Sequence, residues 1–282
     1  MSKFYIINLY SILSYKGVIN IKKSDKKKIE NAKIKSIAKS LYIIELLGDN
    51  ESLSLKEISE DMNMAKSTIS SILSVLDEFG YITQLSHNKK YSLSTKLFEL
   101  GSVVRRKMDV HTIAMPFLDD LVSEVHKTVH LAVMDNNKVL YIDKREPIKP
   151  FRIVSRIGAH LPPHCSAVGK MLLAESSEQQ VDYIINEEGL KKYTDNTITD
   201  PNSLKKELEN IREQGYAIDN GEIMKNSRSI AAPIKNSRGN TIAALGITGL
   251  VDEMQKCDFI KAKEVLLRDA RAISKKMGFR KR

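Results

Sequence analysis

Between residues 54 and 79 the chain starts a helix, stops it and starts another after only two residues, and few folds accommodate that. Ser54-Leu55-Lys56-Glu57 has the form of a capping box, in which a serine hydroxyl accepts from the amide three residues on and the carboxylate there returns the bond. Leu55, Ile58 and Met62 then share a face at helical spacing. Asn63-Met64 connects to a second run, where Ile69, Ile72, Leu73, Leu76 and Phe79 are expected to form the buried stripe. Two short helices joined by so small a turn predict a helix-turn-helix. Upstream, Ile34, Ile37, Leu41, Ile44 and Gly48 step by three or four and predict a first helix, buried along that stripe and ending near Gly48-Asp49-Asn50.

The opposite side of the third helix is unusual: Lys66, Ser67, Thr68, Ser70, Ser71 and Ser74 crowd it, and serine is too middling a helix former for propensity to explain the choice. Small donors and acceptors near a helix N-terminus suit close approach to phosphates and base edges in a major groove, where the helix dipole also favours an anion. On that reading Lys66, Ser67 and Thr68 position on the nucleic-acid backbone, while Ser70, Ser71 and Ser74 face bases. Tyr81–Leu85 and Tyr91–Leu93 flank the polar Ser86-His87-Asn88-Lys89-Lys90, a hairpin that follows the third helix as a wing. Lys89 and Lys90 at its tip are candidates for a phosphate or a minor groove.

Charge agrees with this placement. The net charge is +10, and residues 1–110 hold 18 Lys+Arg against 12 Asp+Glu, so the smaller part is the more basic per residue. Much of the excess is a lysine run from Lys22 to Lys39, which reads as a solvated lead-in or as an ordered DNA-binding arm. Phe4 to Tyr15 is uncharged and apolar but is too short for a membrane span and is broken by Asn8, Ser11 and Ser14. Residues 1–31 are therefore expected to be a disordered extension, with no membrane association. Residues 32–95 read as the winged helix-turn-helix domain and 96–112 as a linker helix. A break near 109–115 follows, because Pro116 suits the first turn of the next helix.

Residues 113–282 read differently. Thr128–Met134 and Lys138–Asp143 around Asp135-Asn136-Asn137 form one hairpin pattern, and Ser229–Ile234 and Thr241–Thr248 form another; Phe151–Ile157 is expected to add a strand. Helices are expected around Val168–Ala174, Glu178–Glu187 and Ser203–Glu213, with a closing helix carrying Phe259, Leu266, Ala270, Ile273 and Met277. Hairpins with inserted helices predict an α+β domain built on an antiparallel sheet.

His164-Cys165-Ser166, with His160 nearby, invites a thiol-hydrolase or metal reading, but Pro162 and Pro163 prevent a regular helix between the two histidines. No Gly-rich phosphate loop, G-x-S-x-G elbow or zinc-peptidase motif is present. Two cysteines are too few for a disulfide framework and fit a reducing cytoplasm. A non-enzymatic chain without cofactor or metal is expected, and Ser166-Ala167-Val168-Gly169 reads as a helix N-terminus whose free amides and serine hydroxyl hold a small anion.

Several segments, in order, carry a family resemblance: LSLKEISEDMNMAKSTISSILSVLDEFGYI, YSLSTKLFELG, KTVHLAVMD, IVSRIGAHLPPHCSAVGK, IREQGYAIDNGE and SIAAPI. From about Ser36 to Ile273 the chain resembles the isocitrate-lyase-regulator (IclR) family of transcription factors. The resemblance implies a winged helix-turn-helix, a homodimer or dimer of dimers, and a C-terminal effector-binding domain of GAF-like fold that takes a small organic acid. It also implies an effector pocket that includes Ala167, Val168, Asp219, Ser229, Gly246 and Thr248, beside Ser166. Members often have cysteine at the Ser229 position and a hydroxyl residue at the Gly246 position, so this pocket is expected to lose one side-chain donor and to admit a larger ligand. Thr248, Ser229 and backbone amides can donate to a carboxylate, and Asp219 can accept from an effector hydroxyl. Arg228 is read either as an anion ligand or as an ion-pair partner of Glu222. The expected protein is a cytoplasmic, ligand-responsive repressor that binds a pseudo-palindromic double-stranded DNA operator and answers to a sugar acid or keto acid. The alternatives are an enzyme using His164 and Cys165, and a general nucleic-acid-binding protein without a ligand.

Overall fold

Ser54 and Glu57 close the capping box as the sequence requires: the Glu57 amide donates to Ser54 Oγ (3.2 Å) and the Ser54 amide to Glu57 Oε2 (2.6 Å). In this computed structural model, which describes residue 29 and residues 31–106, 109–148 and 155–280, that box opens the second of three helices. They are α1 (Lys35–Gly48), α2 (Leu55–Met62) and α3 (Lys66–Glu78), and Asn63 turns α2 into α3 with a left-handed backbone (φ +50°). Strands β1 (Ile82–Gln84) and β2 (Tyr91–Leu93) pair antiparallel, and Tyr91 also pairs with Leu53 ahead of α2, which ties the wing to the helices. Helix α4 (Thr95–Arg106) closes this part.

Two expected stripes are corrected here. On α1 the buried residues are Tyr42, Ile43, Leu46 and Leu47, whereas Ile34, Ile37 and Leu41 are more than half exposed. The helix is apolar on two faces, and spacing alone cannot say which one meets Ile58, Ile69 and Leu73 in the core. On α3, Ile69, Leu73 and Leu76 are buried but Phe79 is 61% exposed, because the helix ends at Glu78 and Phe79 caps it outside the repeat.

The chain divides into two compact units at Lys107/Met108. Helix α5 runs from Asp109 to Val125 with Pro116 in its interior, so the break expected near 109–115 is replaced by continuous helix and the proline does not sit in a first turn. The second unit is built on one antiparallel sheet of β3 (Thr128–Asp135), β4 (Lys138–Arg145), β5 (His160–Leu161), β6 (Ala217–Asp219), β7 (Ser227–Lys235) and β8 (Thr241–Leu250), ordered β5-β4-β3-β8-β7-β6. Asn136 and Asn137 both take positive φ at the β3–β4 turn, as a two-residue hairpin demands. Of the strand expected over Phe151–Ile157, residues 151–154 lie outside the described residues and 155–157 form no strand; His160–Leu161 pairs with β4 instead. Strand β6 was not anticipated.

Each face of the sheet has its own core. Val129, Leu131, Val133, Ala243, Leu245 and Ile247 pack against α5 and the closing helix α9 (Lys256–Lys276). On the other face Ala132, Tyr141, Ala217, Ala231 and Ala244 meet α6 (Ala167–Ala174), α7 (Glu178–Tyr183) and α8 (Pro201–Gln214). Among the described residues no helix is long and apolar enough to cross a membrane.

Candidate functional site

Small side chains on the α6 face leave room for a cavity. Register places Asp219 opposite Ser229, Ser229 opposite Thr248, and Thr248 opposite Thr128, a polar row across β6, β7, β8 and β3. Two residues along, Ala231, Gly246 and His130 form a second row on the same face. The cavity above these rows is lined by all seven residues named from the sequence: Ser166, Ala167, Val168, Asp219, Ser229, Gly246 and Thr248. His130, Tyr141, Ser155, Leu161, Ile223, Met224, Ser227 and Ile230 complete the wall, and sequence reasoning missed most of these. The available signal was His130 itself, a polar residue inside an otherwise apolar strand run.

Helix α6 presents its N-terminus to this space. Ser166 is the N-cap, its Oγ accepting from the Gly169 amide at 3.2 Å, and the amides of Ala167 and Val168 come before the first helical bonds. The close packing of α6 needs Gly169, where a Cβ would stand 2.4 Å from the Pro163 carbonyl oxygen. Gly246 does not widen the cavity as expected. A Cβ there would meet Val168 Cγ1 at 2.6 Å, so Val168 fills the space that a side chain on β8 would take.

Asp219 is 1% exposed, with Oδ1 accepting from the Glu222 amide at 2.7 Å. Burial, reinforced by the Glu222 carboxylate, pushes its carboxyl up to about 7. His130 is equally buried; its Nε2 lies 2.7 Å from Ser155 Oγ and its ring stacks on Tyr141 at 4.7 Å. Burial and the nearby Lys144 ammonium hold this imidazole down to about 3, so it is neutral at physiological pH. The cavity is therefore polar at one end without a fixed positive charge among its described lining side chains.

Arg228 does not line the cavity and does not pair with Glu222. Its Nε donates to Asn220 Oδ1 (2.9 Å) and its guanidinium lies 4.0 Å from the centroid of the Phe259 ring. The partner of Glu222 is Lys170, a buried lysine whose Nζ reaches Glu222 Oε1 (2.6 Å) and Glu207 Oε1 (3.0 Å). Burial opposes the charge on Lys170, but the two carboxylates outweigh it and hold the ammonium above its usual range.

The His164 and Cys165 pair is a poor nucleophilic centre. His164 Nε2 is bonded to the Lys191 carbonyl (3.0 Å), while Cys165 donates to the Pro162 carbonyl at 3.7 Å. Burial pushes the thiol well above its usual range, opposite to the activation a nucleophilic cysteine needs. His160 is on the surface, bonded to Asp135.

In the helical unit Lys66, Ser67, Thr68, Ser70, Ser71 and Ser74 are all exposed on or beside one face of α3. Ala65, the N-cap, supplies no side-chain bond to the helix start; its carbonyl accepts from the Thr68 amide (3.0 Å), which leaves the Lys66 and Ser67 amides to face an anion. Ser71 Oγ donates to the Ser67 carbonyl (3.1 Å) and keeps its acceptor capacity. Lys89 is exposed at the wing tip, whereas Lys90 is half-buried with Nζ 3.3 Å from Glu57 Oε2. The Ser54 amide and hydroxyl, with Lys90, hold the Glu57 carboxyl down to about 2.

Two family models match this chain: the IclR helix-turn-helix domain over residues 36–86, and the bacterial transcriptional regulator IclR C-terminal domain over residues 103–275. The chain is 33% identical to the HTH-type transcriptional regulator KdgR of Dickeya chrysanthemi, over 87% of this chain and 81% of that protein. It is 30% identical to the HTH-type transcriptional repressor AllR of Salmonella typhimurium, over 85% of this chain and 88% of that protein. The crystal structure of IclR from Thermotoga maritima superposes with a TM-score of 0.73 at 33% identity, over 86% of this chain and 98% of that one. With the tight helix pair and the cavity falling within the matched segments, the chain belongs to the IclR family of helix-turn-helix transcriptional regulators.

Proposed function

We propose that this chain is a cytoplasmic repressor that binds a pseudo-palindromic operator as a homodimer or dimer of dimers and responds to a small organic acid, such as a sugar acid or keto acid, held in the α6 cavity. Residues 32–95 carry DNA binding, residues 96–112 link, and residues 113–282 carry effector binding. Lys66, Ser67 and Thr68 grip phosphates at the start of α3, Ser70, Ser71 and Ser74 read base edges, and Lys89 with Lys90 reaches the flanking backbone from the wing. A carboxylate is received by the Ala167 and Val168 amides with the hydroxyls of Ser229 and Thr248, beside Asp219. The effector shifts DNA binding by its different affinities for two arrangements of the oligomer.

The observation that carries this reading is the cavity: Asp219, Ser229 and Thr248 on three adjacent strands face an α6 N-terminus with two open amides. Mobility-shift assays on DNA upstream of the neighbouring genes, paired with a thermal-shift screen of small organic acids, test it. Ser71→Glu places a carboxylate against the DNA and should abolish operator binding while leaving the acid-induced thermal shift intact. Asp219→Ala should do the converse, retaining DNA binding but blunting the response. Loss of both properties, or of neither, in either variant would count against the division of roles.

A further inference from the structure

We propose that Asp219 makes the cavity selective for monocarboxylates, which enter as the anion accompanied by one proton that the Asp219 carboxyl retains. This rests on the reading of the cavity as the effector site and adds what that site accepts and refuses.

The argument begins with charge. Acid-binding sites commonly oppose the ligand with arginine or lysine, but none of the described side chains lining this cavity is either. What the wall offers an anion is partial charge: two open amides at the start of α6 and the hydroxyls of Ser229 and Thr248. Against these stands Asp219, 1% exposed and in the same wall. Two ionised carboxylates a few ångströms apart in a site shielded from water repel each other far more strongly than amide dipoles can offset, so one of them holds a proton.

The surroundings of Asp219 decide which. Glu222 adds negative charge from the adjoining loop, and its amide donates to Asp219 Oδ1. Lys170 on α6 is a buried cation that acts on Asp219, but its ammonium is committed to Glu222 and Glu207. Cys165 before α6 and Tyr141 on β4 are kept in their neutral forms by burial, and His130 on β3 is a neutral imidazole. Asp219 is thus the group whose proton is most easily retained, and burial already places its titration close to neutrality. A free effector acid is ionised at that pH, so the pair binds as carboxylate plus Asp219–H. A second carboxylate or a phosphate on the ligand would bring a further charge with no proton to share, and such ligands are refused.

Isothermal titration of the full-length protein with D-gluconate, pyruvate and benzoate between pH 6 and pH 8.5, in two buffers of different ionisation enthalpy, tests this. The expected result is a dissociation constant that is flat below about pH 7 and rises roughly tenfold per pH unit above it, with close to one proton taken up per ligand at pH 8. D-glucarate, which is gluconate with a second carboxylate, should bind on the order of 100-fold more weakly than D-gluconate. Asp219→Asn places a permanent amide donor where the proton sits and should flatten the pH dependence for whichever probe binds. Binding by the wild type with no proton uptake, or equal affinity for gluconate and glucarate, overturns the proposal and leaves the effector site standing, with Asp219 then an ionised acceptor for a ligand hydroxyl. Failure of every probe to bind at any pH takes down the organic-acid reading itself, and this proposal with it.

Discussion

Gly246 shows how a single missing Cβ can be misread. A glycine in a cavity-facing strand suggests extra room, yet Val168 Cγ1 lies 2.6 Å from where that Cβ would be and takes the room for itself. Gly246→Ser should therefore destabilise the second unit by about 1–3 kcal/mol, as overpacking does, and adding Val168→Ala should recover part of the loss. Urea midpoints of the two single variants and the double variant check the coupling. Asp219 makes the opposite kind of contribution. Its folded titration near 7 stands above the ordinary 3.8, so the native state is favoured with the proton on, and that stability is lost as pH rises through about 7. Asp219→Asn escapes the loss and should be more stable than the parent by roughly 1–3 kcal/mol at pH 8, with the difference shrinking toward pH 5. Thermal melts at the two pH values read this directly, and a difference that grew on acidification would contradict it.

At the level of elements, the capping box at Ser54 and Glu57 does two jobs. It starts α2, and through Glu57 it holds Lys90 of the wing, which sequence reasoning left free to meet a phosphate. Glu57→Gln keeps a side chain that can close the box but releases the Lys90 charge. Because Lys90 leaves Glu57 for the DNA backbone, the slope of log affinity against log salt for operator DNA should stay unchanged, and a slope steeper by about 1 would mean that Glu57 holds Lys90 back from the DNA in the parent. Ser166→Ala removes the cap of α6 and should cost about 1 kcal/mol of unfolding free energy, measured in urea. These elements were legible because each is local: the box, the Asn136-Asn137 turn and the α6 cap are written within four residues of sequence. What was not legible needed a partner. Whether Ile37 or Ile43 of α1 faced inward depended on α2 and α3. Which charge Glu222 met depended on Lys170, which is 52 residues away and on helix α6. Strand β6 is three residues long and carries too short a pattern to announce itself.

Over the whole molecule, the Tyr42–Ile82 core and the two cores flanking the large sheet lie in separate units, each with its own apolar contacts. A ligand of the α6 cavity should raise the unfolding temperature of the 109–280 unit by mass action and leave the melting of the helical unit where it was. Differential scanning calorimetry with and without a bound acid resolves this, and equal shifts in both transitions would show that the units unfold as one. The sheet itself has a further consequence. Thr248 faces the cavity while Ile247 faces α5 and α9, and His130 faces the cavity while Leu131 faces away. A slip of one residue between β7 and β8 would exchange the two sets, driving hydroxyls into an apolar layer. Ligand preference and foldability are thus inscribed on alternate letters of the same strands, so a lineage can rewrite what this protein senses while the intervening apolar residues keep proofreading the sheet.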